Sequence, residues 1–118
     1  MKVTYLDAEA IRSELGRAVD AMARQRPEIR RVLLFGSLAS GRAAPGSDAD
    51  LLVVLSSSDR SFLDRMPLYT PAGCSVAVDV FAYTRAEIDS MQRAGNWLVT
   101  RALAEGVEIY ASEEGSAA

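Results

Sequence analysis

The sequence has no histidine, one lysine and one cysteine, and each scarcity removes a class of chemistry. Without histidine there is no Ser-His-Asp triad, no histidine ligand for zinc and no imidazole base. The only lysine is Lys2, at the start of the chain, so Schiff-base chemistry is not expected. Because Cys74 is alone, no disulfide can form within the chain, which suits a cytoplasmic protein. Catalysis is therefore left to carboxylates, hydroxyls, arginines and a bound metal.

Long hydrophobic runs are also missing. No run approaches the ~20 residues of a membrane span, and no signal peptide is recognisable, so we expect no membrane association. The 118 residues are expected to form one domain over residues 1–110, followed by a disordered tail of small and polar residues over 111–118. The net charge of −3 argues against nucleic acid as a bulk electrostatic partner. A nucleotide held by a metal and a few arginines is compatible with this net charge.

The apolar pattern predicts an α/β (α+β) fold, a small mixed β-sheet with helices packed mainly on one face. Ile11, Leu15 and Val19 recur at helical spacing, and Pro27 ends that helix. A second helical stretch begins at the Thr84-Arg85-Ala86-Glu87 capping box, with a break near Gly95, and Trp97 is expected in the core or an interface. Apolar or alternating runs predict strands over residues 29–35, 50–55, 75–83 and 107–110, and a short helix over 61–66 is expected to stop at Pro67.

The stretch from Gly36 to Asp50 concentrates the residues that suggest a reaction. Gly36-Ser37 follows an apolar strand, ten residues intervene, and Asp48-x-Asp50 opens the next apolar run. The glycine permits a tight turn, and a helix that starts after it would offer free N–H groups to a phosphate. Asp48 and Asp50 would project to the same side of a strand. The two carboxylates would repel each other unless a divalent cation binds between them.

Asp79 is a third carboxylate inside a later apolar strand. A charge at such a position is costly without a partner, so it is a candidate metal ligand or general base. The alternative is a carboxylate near a strand end bonded to backbone, just as Asp48 and Asp50 could merely cap and solvate a turn. Three carboxylates beside a glycine-serine turn suit a two-metal phosphoryl transfer, since Mg²⁺ takes oxygen ligands from a few carboxylates and from nucleotide phosphates.

These motifs resemble those of the DNA-polymerase-β-like nucleotidyltransferases, and most closely their minimal bacterial members. The family pattern of Gly-Ser, about ten residues and Asp-x-Asp stands here as Gly36-Ser37 and Asp48-Ala49-Asp50. Val78-Asp79-Val80 looks like the third carboxylate of the family. The wider pattern also matches at a further set of positions, Phe35, Ala39, Gly41, Ser47, Leu51 and Val53, and the resemblance covers roughly residues 8–110.

The resemblance implies a site that binds ATP and two Mg²⁺ ions. It assigns nucleotide binding to Gly36 and Ser37, with Ser47 from the wider pattern, and metal binding and catalysis to three carboxylates, Asp48, Asp50 and Asp79. Leu38 stands where many minimal members carry arginine. Arg42 is the candidate replacement for that arginine.

The resemblance also implies a partner. Minimal members commonly act as antitoxins that transfer AMP from ATP to a tyrosine of a small helical HEPN-type toxin. Three alternatives stay open at this stage: an antitoxin or regulatory subunit that only occludes its partner, an inactive descendant, and a transferase for a small hydroxyl compound such as an aminoglycoside. The last would need a homo-oligomer to build the acceptor pocket.

Overall fold

The computed structural model describes residues 8–40 and 48–112. None of the helices in these two segments is long and apolar enough to cross a membrane. The elements follow in the order α1 (Ala8–Gln25), β1 (Ile29–Phe35), α2 (Ser37–Ser40), β2 (Ala49–Leu55), α3 (Phe62–Leu68), β3 (Val78–Thr84), α4 (Arg85–Arg93), α5 (Trp97–Glu105) and β4 (Val107–Ala111).

The four strands form one mixed sheet in the order β3-β2-β1-β4. β1 lies in the middle and pairs antiparallel with both β2 and β4. β2 and β3 are parallel, so the chain must cross over between them, and α3 lies in that connection. The predicted class, a small mixed sheet with helices, is confirmed.

Helices cover both faces of the sheet, which differs from the prediction of helices mainly on one face. α1 packs Ile11, Leu15 and Val19 against one face, where they share a cluster with alternate residues of β1, β2 and β3. α4 and α5 pack Ile88, Val99 and Ala102 against the other face. The physical reason is that β1 and β2 are apolar on both sides. A strand of that kind requires cover on each face.

Several element boundaries differ from the sequence-based ones. β3 begins at Val78, and β4 extends to Ala111, beyond which the Ser112 N–H donates to the Arg30 carbonyl at 2.9 Å. α3 continues through Pro67, because the buried Tyr69 donates its N–H to the Arg65 carbonyl and completes the last turn. Residues 113–118, expected to be a tail, lie outside the described residues.

The helical stretch after β3 is divided into α4 and α5, and the capping box is present. The Thr84 hydroxyl accepts from the Glu87 N–H at 3.1 Å, and the Glu87 carboxylate accepts from the Thr84 N–H at 2.8 Å. Asn96 caps α5 through the Val99 N–H. Trp97, the first residue of α5, is 70% exposed rather than part of the core.

Arg65 joins α3 to β3 and α4. Its side chain is 5% exposed and makes a two-pronged ion pair with Glu87, at 2.7 and 3.1 Å. The same guanidinium donates to the carbonyls of Ala82 and Arg60. Bidentate, charge-assisted bonds are among the stronger side-chain contacts. Arg65 therefore holds the crossover helix against the sheet that carries Asp79.

We expect Arg65→Met to destabilise the protein by about 2–4 kcal/mol, because a buried guanidinium and its hydrogen bonds are lost and Glu87 loses its partner. Urea denaturation would measure the change. Arg93→Met, an exposed residue in the last turn of α4, is the matched control and should change stability by less than ~0.5 kcal/mol. Equal effects of the two variants would contradict the structural role of Arg65.

The same pair predicts a pH dependence. The hydrogen bond from Arg65 is the main reason that the pKa of Glu87 lies below its usual 4.5. The stabilisation is complete above about pH 4.5 and is lost as pH falls through the lowered pKa of the folded state. The stability advantage of wild type over Glu87→Gln should therefore shrink below pH 4.5, as measured by urea denaturation at several pH values. An advantage that is constant down to pH 3 would contradict this.

Candidate active site

Asp50 and Asp79 occupy neighbouring positions in one row across the sheet. Asp50 pairs with Phe35 of β1 on one side and with Asp79 of β3 on the other. Paired residues point to the same face, and adjacent strands are ~4.8 Å apart. The two carboxylates therefore leave the sheet side by side. Asp48 is exposed and precedes Asp50 by two residues.

This acidic row lies at the edge of an apolar face. The next row along the strands contains Leu33, Leu52 and Phe81, all packed in the cluster that α4 and α5 cover. The rings of Phe35, in the row of the carboxylates, and Phe81, in the next row, are 5.8 Å apart and tilted. Asp79 is exposed and Asp50 is partly buried. The carboxylates thus have an apolar floor and an open side.

Gly36 fits against the carboxylate of Asp50. Its φ is +82°, a conformation that residues with a side chain rarely adopt. A Cβ at this position would lie 2.5 Å from Asp50 Oδ2, closer than any real contact. The glycine therefore serves both the turn and the space for the carboxylate.

The turn continues into α2, which is only four residues long. The N–H groups of Ala39 and Ser40 both donate to the Gly36 carbonyl, at 3.2 and 3.1 Å. Ser37 and Leu38 are the first helical residues, and their N–H groups have no carbonyl within the helix to bond. The turn therefore combines backbone donors with a neighbouring carboxylate.

The pKa of Asp50 is raised above its ordinary 3.8. Partial burial is the main cause, and the negative charges of Asp79 and Asp48 add to it. The three predicted carboxylates are therefore close enough to interact electrostatically. A proton or a cation near Asp50 would relieve this unfavourable charge.

The carboxylates fit a magnesium site only in part. Among residues 8–40 and 48–112, no three acidic, cysteine or histidine side chains are gathered closely enough to hold a metal by themselves. Mg²⁺ does not require such a cage, since it keeps several waters and takes ligands from substrate phosphates. Hard carboxylate oxygens are its preferred protein ligands. Asp48, Asp50 and Asp79 are accordingly the residues that would hold it.

The remaining predicted nucleotide-binding residues differ in what the structure describes. Gly36 and Ser37 are at the turn, as the sequence indicates. Leu38 is fully buried in the core against α1, so it belongs to the packing and not to the site surface. Arg42 and Ser47 lie outside the described residues.

Residues of α5 also reach the turn, and the sequence-based site did not include them. Arg101 and Glu105 line a cavity of about 190 Å³ together with Gly36, Ala39 and Ser40. α5 begins about sixty residues after the turn in sequence, and it lies there because Val99 and Ala102 pack against Leu33 of β1. Arg101 and Glu105 are four residues apart, which places them on the same face of α5. No sequence pattern links that face to Gly36.

A larger cavity of about 660 Å³ lies at the other end of β2, lined in part by Arg26, Glu28 and Tyr69. Its two arginines, Arg26 and Arg60, are matched by two acids in the lining, Glu28 and Asp59. Burial and the bond to Glu28 raise the pKa of Tyr69 to about 12, so its hydroxyl stays protonated and donates to Glu28 at 2.5 Å. The cavity's charges are balanced and its tyrosine is engaged, whereas the acidic row has unbalanced charge.

Sequence comparison identifies the family. The family model of the nucleotidyltransferase domain matches residues 15–104, which include the turn and all three carboxylates. The chain belongs to the nucleotidyltransferase domain family. The resemblance inferred from Gly36-Ser37 and Asp48-x-Asp50 is thereby confirmed, and the chain is a nucleotidyltransferase. No curated protein matches it significantly in sequence.

Solved structures share the fold at low sequence identity. A nucleotidyltransferase from Sulfolobus solfataricus has a TM-score of 0.65 and 22% identity, over 92% of this chain and 86% of that chain. A toxin–antitoxin structure with AMP-PNP has a TM-score of 0.57 and 16% identity, over 84% and 75% of the two chains. The toxin–antitoxin MntA-HpeT, in a mutant form, has a TM-score of 0.59 and 15% identity over the same shares. At such identities the likeness is one of fold.

We expect Gly36→Ala to impair nucleotidyl transfer far more than its effect on stability explains, because the new methyl group displaces the Asp50 carboxylate. Gly73→Ala is the matched control: its φ is +77°, but nothing lies within 4 Å of the added Cβ. Both variants should lose about 1–2 kcal/mol from the left-handed backbone. Denaturation and a transfer assay would measure the two effects. Equal activity of the two variants would contradict the steric role of Gly36.

We also expect Asp50→Asn to stabilise the metal-free protein. A raised carboxyl pKa in the folded state means that the ionised group opposes folding at neutral pH, and that stability recovers as pH falls through the raised value. The variant should therefore melt a few degrees higher, about 2–5 °C, by circular dichroism in a chelating buffer.

Asp20→Asn, an exposed position on α1, controls for the loss of one charge. Added Mg²⁺ should raise the melting temperature of wild type and leave that of Asp50→Asn nearly unchanged. A lower melting temperature for Asp50→Asn than for Asp20→Asn would show that the charge does not oppose folding.

Proposed function

We propose that this nucleotidyltransferase transfers AMP from ATP to a tyrosine hydroxyl of a HEPN-type helical toxin and so acts as its antitoxin. The observation that carries the proposal is the pairing of Asp50 with Asp79 beside the Gly36 turn. Membership of the family supports the reaction class. The likeness in fold to a toxin–antitoxin structure with AMP-PNP supports the choice of nucleotide and partner.

In this proposal the acidic row, together with Asp48, would hold two Mg²⁺ ions, and the turn would hold the triphosphate of ATP. Asp48, Asp50 and Asp79 supply carboxylate oxygens, and Gly36 and Ser37 approach the phosphates. Arg42 and Ser47 are assigned to the same nucleotide on the motif alone. When bound, Mg²⁺ offsets phosphate charge and lowers the pKa of an attacking hydroxyl.

The transfer itself exchanges a phosphoanhydride bond of ATP for a phosphoester bond to the acceptor. The acceptor oxygen bonds to the α-phosphorus of ATP, the bond from that phosphorus to the bridging oxygen breaks, and pyrophosphate leaves. The hydroxyl proton passes to a carboxylate, for which Asp79 is the candidate. Its exposure and its position on the edge strand β3 leave it accessible from solvent.

This accessibility favours a protein as acceptor. β3 is an outer strand of the sheet, so a bulky partner can approach Asp79 from the side. A tyrosine carries its hydroxyl at the end of a long, stiff side chain, which can reach the acidic row from the surface of a folded partner. A small hydroxyl compound would need additional walls to bind with comparable orientation.

A second function requires no metal site. An antitoxin or regulatory subunit that neutralises its partner by occlusion would need none. The two functions differ in their dependence on the carboxylates.

We expect label from [α-³²P]ATP to appear on the helical protein encoded next to this chain when the two are incubated with Mg²⁺. The double variant Asp48→Asn/Asp50→Asn should reduce labelling by at least about a hundredfold, since acid–base and metal contributions are of that size or larger. Mass spectrometry should locate AMP on a tyrosine. Asp20→Asn and Asp64→Asn, two exposed carboxylates remote from the row, are the combined control.

The same variants separate the two functions in cells. If the double Asp48→Asn/Asp50→Asn variant still protects cells fully from the partner, occlusion explains the protection and transfer does not. Label on a small hydroxyl compound such as an aminoglycoside, with none on the partner protein, would redirect the proposal to a small-molecule acceptor.

A further inference from the structure

We propose that Arg101 of α5 is a cation that binds the phosphate chain of the nucleotide at the Gly36 turn. The inference rests on the proposed function, in that it takes a nucleotide triphosphate to be the substrate. It adds a residue from a distant helix to a site otherwise built from β1, β2 and β3.

The position of Arg101 is the first argument. Its side chain lines the cavity of about 190 Å³ that Gly36, Ala39 and Ser40 also line. This volume is below the ~300 Å³ at which pockets begin to enclose a drug-sized ligand. The cavity is therefore suited to part of a nucleotide, such as one or two phosphate groups, and not to the whole molecule.

The charge of the site is the second argument. Asp48, Asp50 and Asp79 place negative charge beside the turn, and a triphosphate would add to it. Among the described residues that line the cavity, Arg101 is the one cation. A guanidinium can bind phosphate oxygens through two parallel N–H bonds, which adds orientation to charge neutralisation.

The present contacts of Arg101 leave it available. Its Nε donates to Glu105 Oε2 at 2.8 Å, and the two side chains are 54% and 63% exposed. Exposed pairs of this kind are weak and exchange readily, and a guanidinium has four N–H donors besides Nε. The centroid of the Trp97 ring lies 6.0 Å from Arg101 Cζ.

The backbone that carries Arg101 is held in place. Val99 and Ala102 of α5 are fully buried against Leu33 in the cluster on that face of the sheet. A Cβ at Gly106, which ends the helix, would lie 3.3 Å from Leu33 Cβ, so the backbone there is also close to β1. The packing of α5 on β1 thus places Arg101 beside the turn. In this inference a phosphate group replaces Glu105 as the anion that pairs with Arg101.

The test uses Trp97, the only tryptophan of the chain, as a fluorescent reporter for titration with Mg·ATP. We expect Arg101→Gln to raise the Kd about ten- to a hundredfold, the range for loss of hydrogen bonds to a charged group. Glu105→Gln should lower the Kd a few-fold, because it removes the competing anion. Calorimetry repeats the measurement, since Arg101→Gln itself alters the surroundings of Trp97.

The matched control is Arg93→Gln, which removes the same charge from an exposed position at the end of α4. Its Kd for Mg·ATP should equal that of wild type. Tripolyphosphate and adenosine serve as partial probes. Arg101→Gln should weaken competition by tripolyphosphate and leave competition by adenosine unchanged.

The outcomes distinguish this inference from the proposed function. Wild-type affinity of Arg101→Gln for Mg·ATP, or equal weakening by Arg93→Gln, would overturn the role of Arg101 while leaving nucleotidyl transfer intact. Failure of the wild-type protein to bind any nucleoside triphosphate would overturn both. Weakening confined to adenosine would place Arg101 at the base and overturn its assignment to the phosphates.

Discussion

The repulsion between Asp50 and Asp79 is the constraint on which the site depends. The parallel pairing of β2 and β3 puts the two residues in register, and neither can turn to the opposite face without a slip of a whole strand. The partial burial of Asp50 makes its charge more costly still. Because the folded protein keeps this unfavourable charge at one row of its sheet, binding of a cation at that row would be favourable.

The rest of the sheet holds the unfavourable row in place. Beyond the carboxylates, the paired rows of β1 and β2 are apolar and covered by helices, except for the row of Arg31 and Val54. Arg65 anchors the crossover helix to the carbonyl of Ala82, three residues after Asp79, and to the first turn of α4. These contacts stabilise the fold against the repulsion between Asp50 and Asp79. They lie away from the acidic row, so they are retained when the carboxylates are charged. Stability and chemistry are thus divided between two ends of the same strands.

The α4–α5 layer has two roles. It buries one face of the sheet, and it brings Arg101 and Glu105 of α5 to the glycine turn. The position of α5 beside the turn depends on the packing of this cluster on Leu33, so a change in how α5 packs would alter the site without changing a motif residue. This layer makes the site a property of the whole domain, although the recognisable motif occupies only residues 36–50.

The fold class and the core of the site are determined locally. β1 runs over the residues predicted, because its continuous apolar run can form only a covered strand. The capping box starts α4 where the sequence indicates, since that signal depends on residues three apart. Gly36 and the spacing to Asp48 and Asp50 indicated the family that the model match confirms. The prediction that the helix ends at Pro67 was wrong. The buried Tyr69 completes the last turn of α3, and its burial depends on contacts that the local sequence does not show.

What only the tertiary structure decided is which distant residues meet. The sequence by itself determined strands, turn chemistry and the positions of the carboxylates, because periodicity and spacing act over a few residues. It did not determine that helices cover both faces, that Asp79 pairs with Asp50 and not with another row, or that α5 lies beside Gly36. Strand register and helix seating depend on the sum of many weak contacts between remote segments, and no single stretch of sequence contains that sum.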